Sequence, residues 1–494
     1  MLKTASKLLP PSTSKLQARA VNMAATAAPR PKREGDISDS FASLSGKPPA
    51  PLPPRFRDLK LSLSRGREAA LTASWNRLLA VLRAENPVVA QTGPAIIPQV
   101  RFSHLDADLA LKRDEIRRRG AAVVRGVLPE DEARGYKDEI EAYVARNPHT
   151  RGFPAENPQV IELYWSEPQI RARAHPNLLE VQRKLMTGLW RVRDEQAPIS
   201  LRSPLSYADR LRIRQPGDAK FALGPHQDGG SVERWEREGY GAGGGVYNDV
   251  FEGEWEKYDP FEASGRVGAV TDRYNGLGAC SMFRMFQGWL AISRSGPEQG
   301  TLLVNPLLKE STSYALLRPF FRPVKELVEL QGSKEEFLDE KNWKFTAGEE
   351  MTSDLQGATP GHGQEFPEGM HPHLELEKTM IHMPKVRPGD FVFWHCDSEY
   401  FLLPGCSIQT DHDQQFMLWT RSTTARQTRA CCTSPFARRR KRAPSTWPGS
   451  GRPSSREHRR RTSPVESASR STSVVRLKRT LDELPHLLAC SRLG

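Results

Sequence analysis

The pattern of apolar and polar positions divides the chain into a helical part followed by a part rich in strands. Apolar residues recur at helical spacing in LTASWNRLLAVLRAE (71–85) and DLALKRDEIRRRG (108–120), which predicts two amphipathic helices. A short apolar strand is predicted at 121–124, followed by a turn at 128–129 and a helix that ends near residue 145. We therefore expect the chain to be largely helical up to this point.

Short alternating or apolar runs separated by glycine and proline dominate residues 201–306. They include LRIRQPG, KFALGPHQD, CSMFRMFQGWLAI and GTLLVNPLL, and KTMIHMPKVRPGDFVFWH (378–395) continues the pattern after a polar insertion. Several short strands without strand–helix alternation favour a sandwich or a barrel. The sequence thus predicts an α+β chain that is mainly β, with an N-terminal helical region.

The positive charge lies at the two ends of the chain. The formal net charge is +13, but residues 421–480 hold 17 Lys/Arg against two acids and residues 1–33 hold seven against none, so residues 34–420 are net acidic. Basic clusters such as 438–442 are typical of nuclear-localisation or nucleic-acid-binding patches. The low apolar content of this tail predicts disorder, so we do not expect a nucleic-acid partner for the folded part.

Composition also predicts where the N-terminal extension and the linker of the chain begin and end. Residues 1–33 have the composition of a mitochondrial transit peptide, and a disordered tail with Met23 as the true start is the alternative. Residues 34–70, polar and rich in proline, are predicted to be a linker. No run approaches the roughly 18 apolar residues of a membrane-spanning helix, and six cysteines without CxxC spacing suit a reducing compartment. We expect a soluble intracellular protein, cytoplasmic or, with a transit peptide, mitochondrial.

The stretch GPHQDGGSV (224–232) carries the main candidate for chemistry. His226 and Asp228 stand two residues apart at the end of a predicted strand, so their side chains point to one face. Two histidines and one carboxylate on one face form the ligand set of non-haem Fe(II) oxygenases. An HxD triplet is common by chance, and a surface turn is the alternative.

Several segments together make the chain similar to a known family. RGAAVVRGVLP, VIELYWSEPQIRARAHPN, LRIRQPGDAKFALGPHQDGGSVERW, the FQGWLAI run and VRPGDFVFWHCD resemble the phytanoyl-CoA-hydroxylase-like iron and 2-oxoglutarate dioxygenases, and more closely the fungal and bacterial YbiU-like family within that fold. The likeness spans about residues 71–397, with a β-helix core at about 201–397. It implies a double-stranded β-helix (a cupin-like jelly roll), Fe(II) bound by His226 and Asp228, 2-oxoglutarate and O2 as co-substrates, and a small organic substrate.

One iron ligand of that fold has no counterpart in this chain. The last ligand is a second histidine, and the family's HCDxxH spacing puts it at Tyr400 or one residue away. His395 is the candidate nearest to that position, and His412 and the HxH pair His371 and His373 are further alternatives.

The 2-oxoglutarate carboxylate needs a cation, and a guanidinium can pair with a carboxylate through two hydrogen bonds. Arg212, Arg214 and Arg284 lie on predicted strands and are the candidates. A surface or structural ion pair is the alternative role for each of them.

The sequence after Asp397 departs from the family. Read in a shifted frame, CCTSP (431–435) permits a buried strand ending at proline, as expected there from the family. Our hypothesis is that 398–420 include an unspliced intron and that 421–480 are translated out of frame, which makes 398–494 an aberrant, disordered basic tail. Sequencing the transcript tests this hypothesis, because a message without a splice after Asp397 would contradict it.

Three functions remain open at this point. The first is an Fe(II)/2-oxoglutarate-dependent oxygenase. The second is a catalytically impaired β-helix protein that lacks the third iron ligand. The third is a nucleic-acid-associated protein acting through the basic tail, whose binding would weaken steeply with salt. Neither the substrate nor the oligomeric state follows from the sequence.

Overall fold

A computed structural model describes residues 40–45, 49–153, 158, 160–214, 223–242, 244–277, 279, 281–297, 299, 301–402 and 415–423. The α-helices of these residues are α1 (Arg55–Ser64), α2 (Glu68–Thr92), α3 (Leu105–Arg119), α4 (Glu130–Arg146), α5 (Glu167–Arg173), α6 (Pro176–Leu189), α7 (Asn248–Phe251), α8 (Leu308–Leu317), α9 (Lys334–Leu338) and α10 (Leu376–Thr379). The strands are β1 (Gln99–Arg101), β2 (Ala121–Arg125), β3 (Gly152–Phe153), β4 (Val160–Ile161), β5 (Leu205–Arg214), β6 (Leu223–Gln227), β7 (Arg284–Ala291), β8 (Leu302–Val304), β9 (Phe321–Pro323), β10 (Trp343–Phe345), β11 (Gln364–Glu365), β12 (Ile381–His382), β13 (Phe391–His395), β14 (Tyr400–Leu402) and β15 (Gln415–Thr423).

Most of these strands belong to two sheets. The larger sheet has eight strands in the order β1-β2-β13-β7-β15-β5-β4-β3, and the smaller has five in the order β11-β6-β14-β8-β12. Strands β9 and β10 form a separate antiparallel pair. The chain alternates between the sheets, because β5, β7, β13 and β15 lie in the larger one and β6, β8 and β14 in the smaller one. This order brings β14 beside β6, the strand that carries His226 and ends one residue before Asp228.

Strand β13 shows how the larger sheet packs. Its sequence FVFWH alternates between two hydrophobic clusters, since successive side chains of a strand point to opposite faces. Val392 and Trp394 pack in a cluster with Leu302 of the smaller sheet. Phe391 and Phe393 pack in a second cluster with residues of α3, α4 and α6. The larger sheet is therefore covered by the smaller sheet on one face and by helices on the other.

The structure confirms several sequence predictions and corrects two. The two predicted N-terminal helices are α2 and α3, the predicted strand at 121–124 is β2, and the strand predicted to end at His395 is β13. The expectation of a mainly β chain is wrong, because among the described residues helices hold more positions than strands. The segment 34–70, predicted to be a linker, contains α1, whose Phe56 is fully buried. Phe56, Leu59 and Leu63 recur at helical spacing, a signal concealed by the adjacent prolines.

Two strands lie in the segment that we predicted to be an aberrant tail. Strand β14 pairs with β6 and β8, and β15 pairs with β5 and β7. Residues 1–39 and 424–494, together with His412, lie outside the described residues, so the transit-peptide and out-of-frame hypotheses stay predictions. In the described part of the chain, no helix is both long and apolar enough to cross a membrane.

Three buried histidines predict a fold that is sensitive to acid. Burial, reinforced by nearby arginines, lowers the pKa of His371, His373 and His395 to about 3. In the unfolded chain the pKa of a histidine is about 6.5. Between the folded and the unfolded pKa values the unfolded chain therefore binds more protons than the folded chain, so the free energy of unfolding falls as the pH falls. Each histidine contributes a slope of about 1.4 kcal/mol per pH unit below about pH 6.5.

Urea unfolding measured from pH 7 to pH 5 checks this prediction. We expect the urea concentration at the unfolding midpoint to fall steeply as the pH falls. His373→Phe should reduce the slope of the free energy of unfolding against pH by the contribution of one histidine. Replacement of the exposed His104 by glutamine provides the control for a histidine substitution outside the core. A midpoint that does not vary with pH would contradict the prediction.

Candidate metal and co-substrate site

His226 lies on strand β6 with its side chain buried. Its Nδ1 is 2.7 Å from the carbonyl oxygen of Gly224. Because a carbonyl oxygen only accepts hydrogen bonds, Nδ1 carries the proton and Nε2 carries the lone pair. Burial lowers the pKa of His226, and the attraction of the Asp228 carboxylate only partly opposes this shift. The imidazole is therefore neutral and held in the tautomer that can bind a metal through Nε2.

Asp228 and Tyr400 complete a cluster with this histidine. The Tyr400 hydroxyl donates a hydrogen bond to Oδ2 of Asp228 at 2.7 Å. Tyr400 also pairs directly with His226 across β14 and β6, with the ring centroids 4.2 Å apart. His226 and Asp228 thus both contact Tyr400, a tyrosine that stands where the family resemblance predicts a second histidine. We call these three residues the His–Asp–Tyr cluster.

Asp228 also lines a small cleft with a cavity volume of about 30 Å³. Arg284, a candidate for binding the 2-oxoglutarate carboxylate, lines the same cleft. So does Gln287, which is 1% exposed and whose amide nitrogen and oxygen have no hydrogen-bond partner among the described residues. The remaining lining residues are Tyr240, Arg266, Ala269, Thr271, Ser281, Met282, Phe283 and Cys396.

His395 is not part of the His–Asp–Tyr cluster. Its Nε2 donates to the carbonyl oxygen of Pro260 at 3.0 Å, and its Nδ1 accepts from the backbone N–H of Asp397 at 3.0 Å. Its ring stacks on Trp190 at a centroid distance of 4.9 Å. Both nitrogens are therefore engaged, and the residue belongs to the larger sheet. This geometry does not support His395 as the third iron ligand and assigns it a structural role.

A buried ion-pair network follows His395 in the chain. The Asp397 carboxylate accepts hydrogen bonds from Arg266 at 2.5 Å, Arg234 at 3.4 Å, Tyr258 at 2.9 Å and Tyr247 at 3.2 Å. Burial alone would raise the pKa of Asp397, but the charges of Arg266 and Arg234 outweigh it and hold the pKa well below its ordinary range. The carboxylate is therefore ionised and its oxygens are already occupied.

Arg234 connects this network to the loop that carries Asp228. Its Nη2 donates to the backbone carbonyl of Asp228 at 2.8 Å, and the Tyr240 hydroxyl donates to the carbonyl of Gly229 at 2.8 Å. Gly229 has a φ of 92°, a conformation that favours glycine, and a Cβ there would lie 2.9 Å from the Tyr240 hydroxyl. Buried donors thus hold the backbone at Asp228 and Gly229, beside the candidate metal-binding carboxylate.

A second group of metal-ligand side chains lies in the same region. Within the described ranges, His395, Cys396 and Asp397 are the one group of three such residues of the types His, Cys, Asp and Glu, with ligand atoms within 4.8 Å of one another. The nitrogens of His395 and the oxygens of Asp397 already have partners, and two arginines make the surroundings positive. We interpret this group as structural.

The other arginine candidates have different positions. Arg212 lies on β5, near enough to His226 for its charge to help lower the histidine pKa. The backbone of Arg214 pairs with Gln415 of β15, and its side chain lies outside the described residues. Arg284 is thus the candidate whose side chain the structure brings to the cleft.

The HxH pair belongs to the protein core. His371 and His373 are buried, and the His373 ring lies 4.7 Å from that of Trp343, with its Nδ1 3.1 Å from the Tyr314 hydroxyl. Neither histidine lines the cleft at Asp228. Their spacing therefore reflects packing rather than metal binding.

Sequence reasoning named Arg284 but missed Arg234, Arg266 and Gln287. Arg234 and Asp397 lie in SVERW and HCD, two segments that carry the family resemblance, yet they are 163 residues apart and the sequence contains no signal that pairs them. Gln287 lies in the apolar FQGWLAI run, where a single polar residue is a usable signal for a functional position.

A comparison with protein families shows to which family the chain belongs. The Gig2-like family profile matches residues 50–463. The chain belongs to the Gig2-like family. The match begins before residue 71 and continues past residue 397, so it is wider than the likeness found from the motifs.

Relatives of this Gig2-like chain agree with the predicted resemblance to YbiU. The chain is 31% identical to the uncharacterized protein YbiU of Escherichia coli K12 over 335 residues, which is 65% of this chain and 72% of YbiU. The crystal structure of GlcNAc Inducible Gene 2 (GIG2) from Candida albicans is similar, with a TM-score of 0.64 and 31% identity over 76% of this chain and 78% of that one. A Salmonella typhimurium LT2 protein provisionally named an oxidoreductase has a TM-score of 0.60 and 26% identity, over 76% and 87% of the two chains.

Proposed function

We propose that this Gig2-like chain is a metal-dependent oxygenase of the Fe(II)/2-oxoglutarate type, built on a double-stranded β-helix, that acts on a small organic molecule. The observation that carries the proposal is the meeting of His226 and Asp228 beside a cleft that Arg284 and Gln287 also line. The alternation of strands between two sheets supports the fold, and the oxidoreductase name of one structural relative is in keeping with the chemistry.

The donor set suits iron. His226 offers Nε2 because Gly224 fixes the proton on Nδ1, and Asp228 offers a carboxylate oxygen. An imidazole and a carboxylate on one face, with other positions open, are the protein ligands typical of non-haem Fe(II) enzymes. When bound, iron and 2-oxoglutarate supply the oxidising chemistry, in which 2-oxoglutarate is decarboxylated while O2 oxidises the substrate.

The cleft provides groups for a dicarboxylate. Arg284 can pair with a carboxylate through two hydrogen bonds, and the Gln287 amide can donate a further one from a buried position. Met282 and Phe283 supply an apolar wall that limits the access of water. These residues would orient the co-substrate toward Asp228, which is the protein's share of the reaction.

Metal titration tests the proposal. Binding of Fe(II) to the full chain under anaerobic conditions, followed by calorimetry, should show one site, and His226→Ala and Asp228→Ala should each weaken it at least about tenfold. His104→Ala and Asp106→Ala are matched controls at exposed positions. Equal affinity in all four variants would place the metal elsewhere and contradict the proposal.

Removal of the Arg284 guanidinium should weaken 2-oxoglutarate binding. Hydrogen bonds to charged groups contribute about 1.5–3 kcal/mol, so Arg284→Leu is expected to raise the dissociation constant about 10- to 100-fold. The control is Arg294→Leu, because Arg294 is 63% exposed. Unchanged 2-oxoglutarate binding by Arg284→Leu in a binding titration would exclude this residue as the carboxylate partner.

One observation favours a second function. Tyr400 occupies the position of the expected histidine, and its hydroxyl is bonded to Asp228. A chain with two of the usual three ligands would bind metal and turn over little 2-oxoglutarate. The catalytically impaired protein is therefore the alternative, and comparing metal stoichiometry with 2-oxoglutarate decarboxylation separates the two.

A further inference from the structure

Tyr400 is held rigidly against the metal-binding pair. Its side chain is 4% exposed, and its ring lies between those of His226, at 4.2 Å, and Trp394, at 5.1 Å. The ring of Phe41 closes the other side of His226 at 4.5 Å. With the ring enclosed in this way, the Tyr400 hydroxyl stays directed at the Asp228 carboxylate.

The separation of the two oxygens is that of an ordinary O–H···O hydrogen bond and is also compatible with a shared metal ion. The Tyr400 hydroxyl oxygen and Oδ2 of Asp228 are 2.7 Å apart. Adjacent ligands of an octahedral ion with bonds of about 2.0 Å lie about 2.8 Å from each other. An ion placed between the two oxygens can therefore replace the hydroxyl proton with little movement of either side chain. His226 lies directly across from Tyr400 in the strand pairing, so a nitrogen donor is at hand.

We propose that Tyr400 is the third protein ligand and that the His–Asp–Tyr cluster is a site for Fe(III). The proposal rests on the metal site of the proposed function and changes its third ligand and its preferred oxidation state. On binding, the phenol O–H bond breaks, the proton leaves to solvent and a phenolate–iron bond forms, with no change in the oxidation state of the added ferric ion.

The chemistry of the donors explains the preference. A phenolate and a carboxylate are hard anionic oxygens, which neutralise the charge of a ferric ion better than an imidazole does. The site has one neutral nitrogen and two anionic oxygens, whereas an oxygenase site of the usual type has two nitrogens and one oxygen. The cluster therefore stabilises Fe(III) relative to Fe(II).

The test uses the absorption of a ferric phenolate. Ferric nitrilotriacetate is added to the full chain, free iron is removed, and bound iron is quantified beside the visible spectrum. We expect one bound iron and a visible band from phenolate-to-iron charge transfer, with resonance Raman bands of a tyrosinate. Tyr400→Phe keeps the ring and should abolish the band. Tyr136→Phe, which removes a hydroxyl bonded to Glu132 on helix α4 and outside the cleft, should keep it.

The outcomes separate this inference from the proposed function. In one outcome, the unmodified chain binds iron without a tyrosinate band and loses that iron in His226→Ala. That result would support the proposed metal site and overturn the role of Tyr400. A band that survives Tyr400→Phe, or disappears in Tyr136→Phe instead, also overturns it. A chain that binds neither Fe(II) nor Fe(III) at His226 overturns both. Urea unfolding of Tyr400→Phe confirms that the variant is folded.

Discussion

Replacing Tyr400 with histidine is expected to raise the affinity for Fe(II) about 100-fold and to increase 2-oxoglutarate decarboxylation. A neutral imidazole offers a lone pair at once, whereas the phenol must break its hydrogen bond to Asp228 and lose a proton. The substitution completes the set of two histidines and one carboxylate. Mutation of residues that only orient a metal ligand already changes metal affinity about 10- to 100-fold. Replacing a ligand itself should therefore change the affinity by at least the upper value of that range.

Anaerobic Fe(II) titration and release of CO2 from 2-oxoglutarate measure this effect. Tyr400→Phe is the matched control, because it removes the hydroxyl without supplying a nitrogen donor. If Tyr400→His bound Fe(II) no better than Tyr400→Phe, the position would not belong to the metal site. A C-terminus restored from the transcript is a second test, since the family spacing predicts a histidine there.

Removing the charge of Asp397 is expected to cause the largest loss of stability. Asp397→Asn leaves the buried guanidinium groups of Arg234 and Arg266 without their counter-charge. Breaking a buried ion pair on one side costs about 3–5 kcal/mol, a large share of the roughly 5–15 kcal/mol of a folded domain. Metal binding should weaken as well, because Arg234 also holds the backbone carbonyl of Asp228.

Urea unfolding gives the difference in the free energy of unfolding. Asp106→Asn is the control, because Asp106 is 74% exposed and its pairing with Lys184 is expected to contribute about 1 kcal/mol or less. Adding Arg266→Met to Asp397→Asn should recover part of the loss, since one uncompensated charge is removed. Equal stability of Asp397→Asn and Asp106→Asn would mean that the network does not stabilise the fold.

Local patterns predicted the parts of the site that lie close together in sequence. The two-residue spacing of His226 and Asp228 predicted a shared face, and in the structure both residues contact Tyr400. Alternation and turn signals located β6, β7 and β13. The expected position of a second histidine from the HCDxxH spacing coincides with Tyr400, which pairs with His226.

Contacts between distant segments were not predictable in this way. The surroundings of the His395 side chain depend on the sheet to which its strand belongs. In the structure its ring stacks on Trp190 and its Nε2 donates to the carbonyl oxygen of Pro260. The partners of Asp397 come from two loops about 130 and 163 residues earlier. No periodicity encodes such pairs, because they depend on the order of strands in the sheets. The helical share was underestimated because α1 follows directly on a proline-rich run.

Anomalous diffraction at the iron absorption edge, from crystals of the full chain soaked with iron, tests the central claim most directly. The account predicts a single strong peak between His226 Nε2, the Asp228 carboxylate and the Tyr400 hydroxyl, at the edge of the cleft that Arg284 lines. A peak at His395, Cys396 and Asp397, or the absence of any peak at His226, would contradict it.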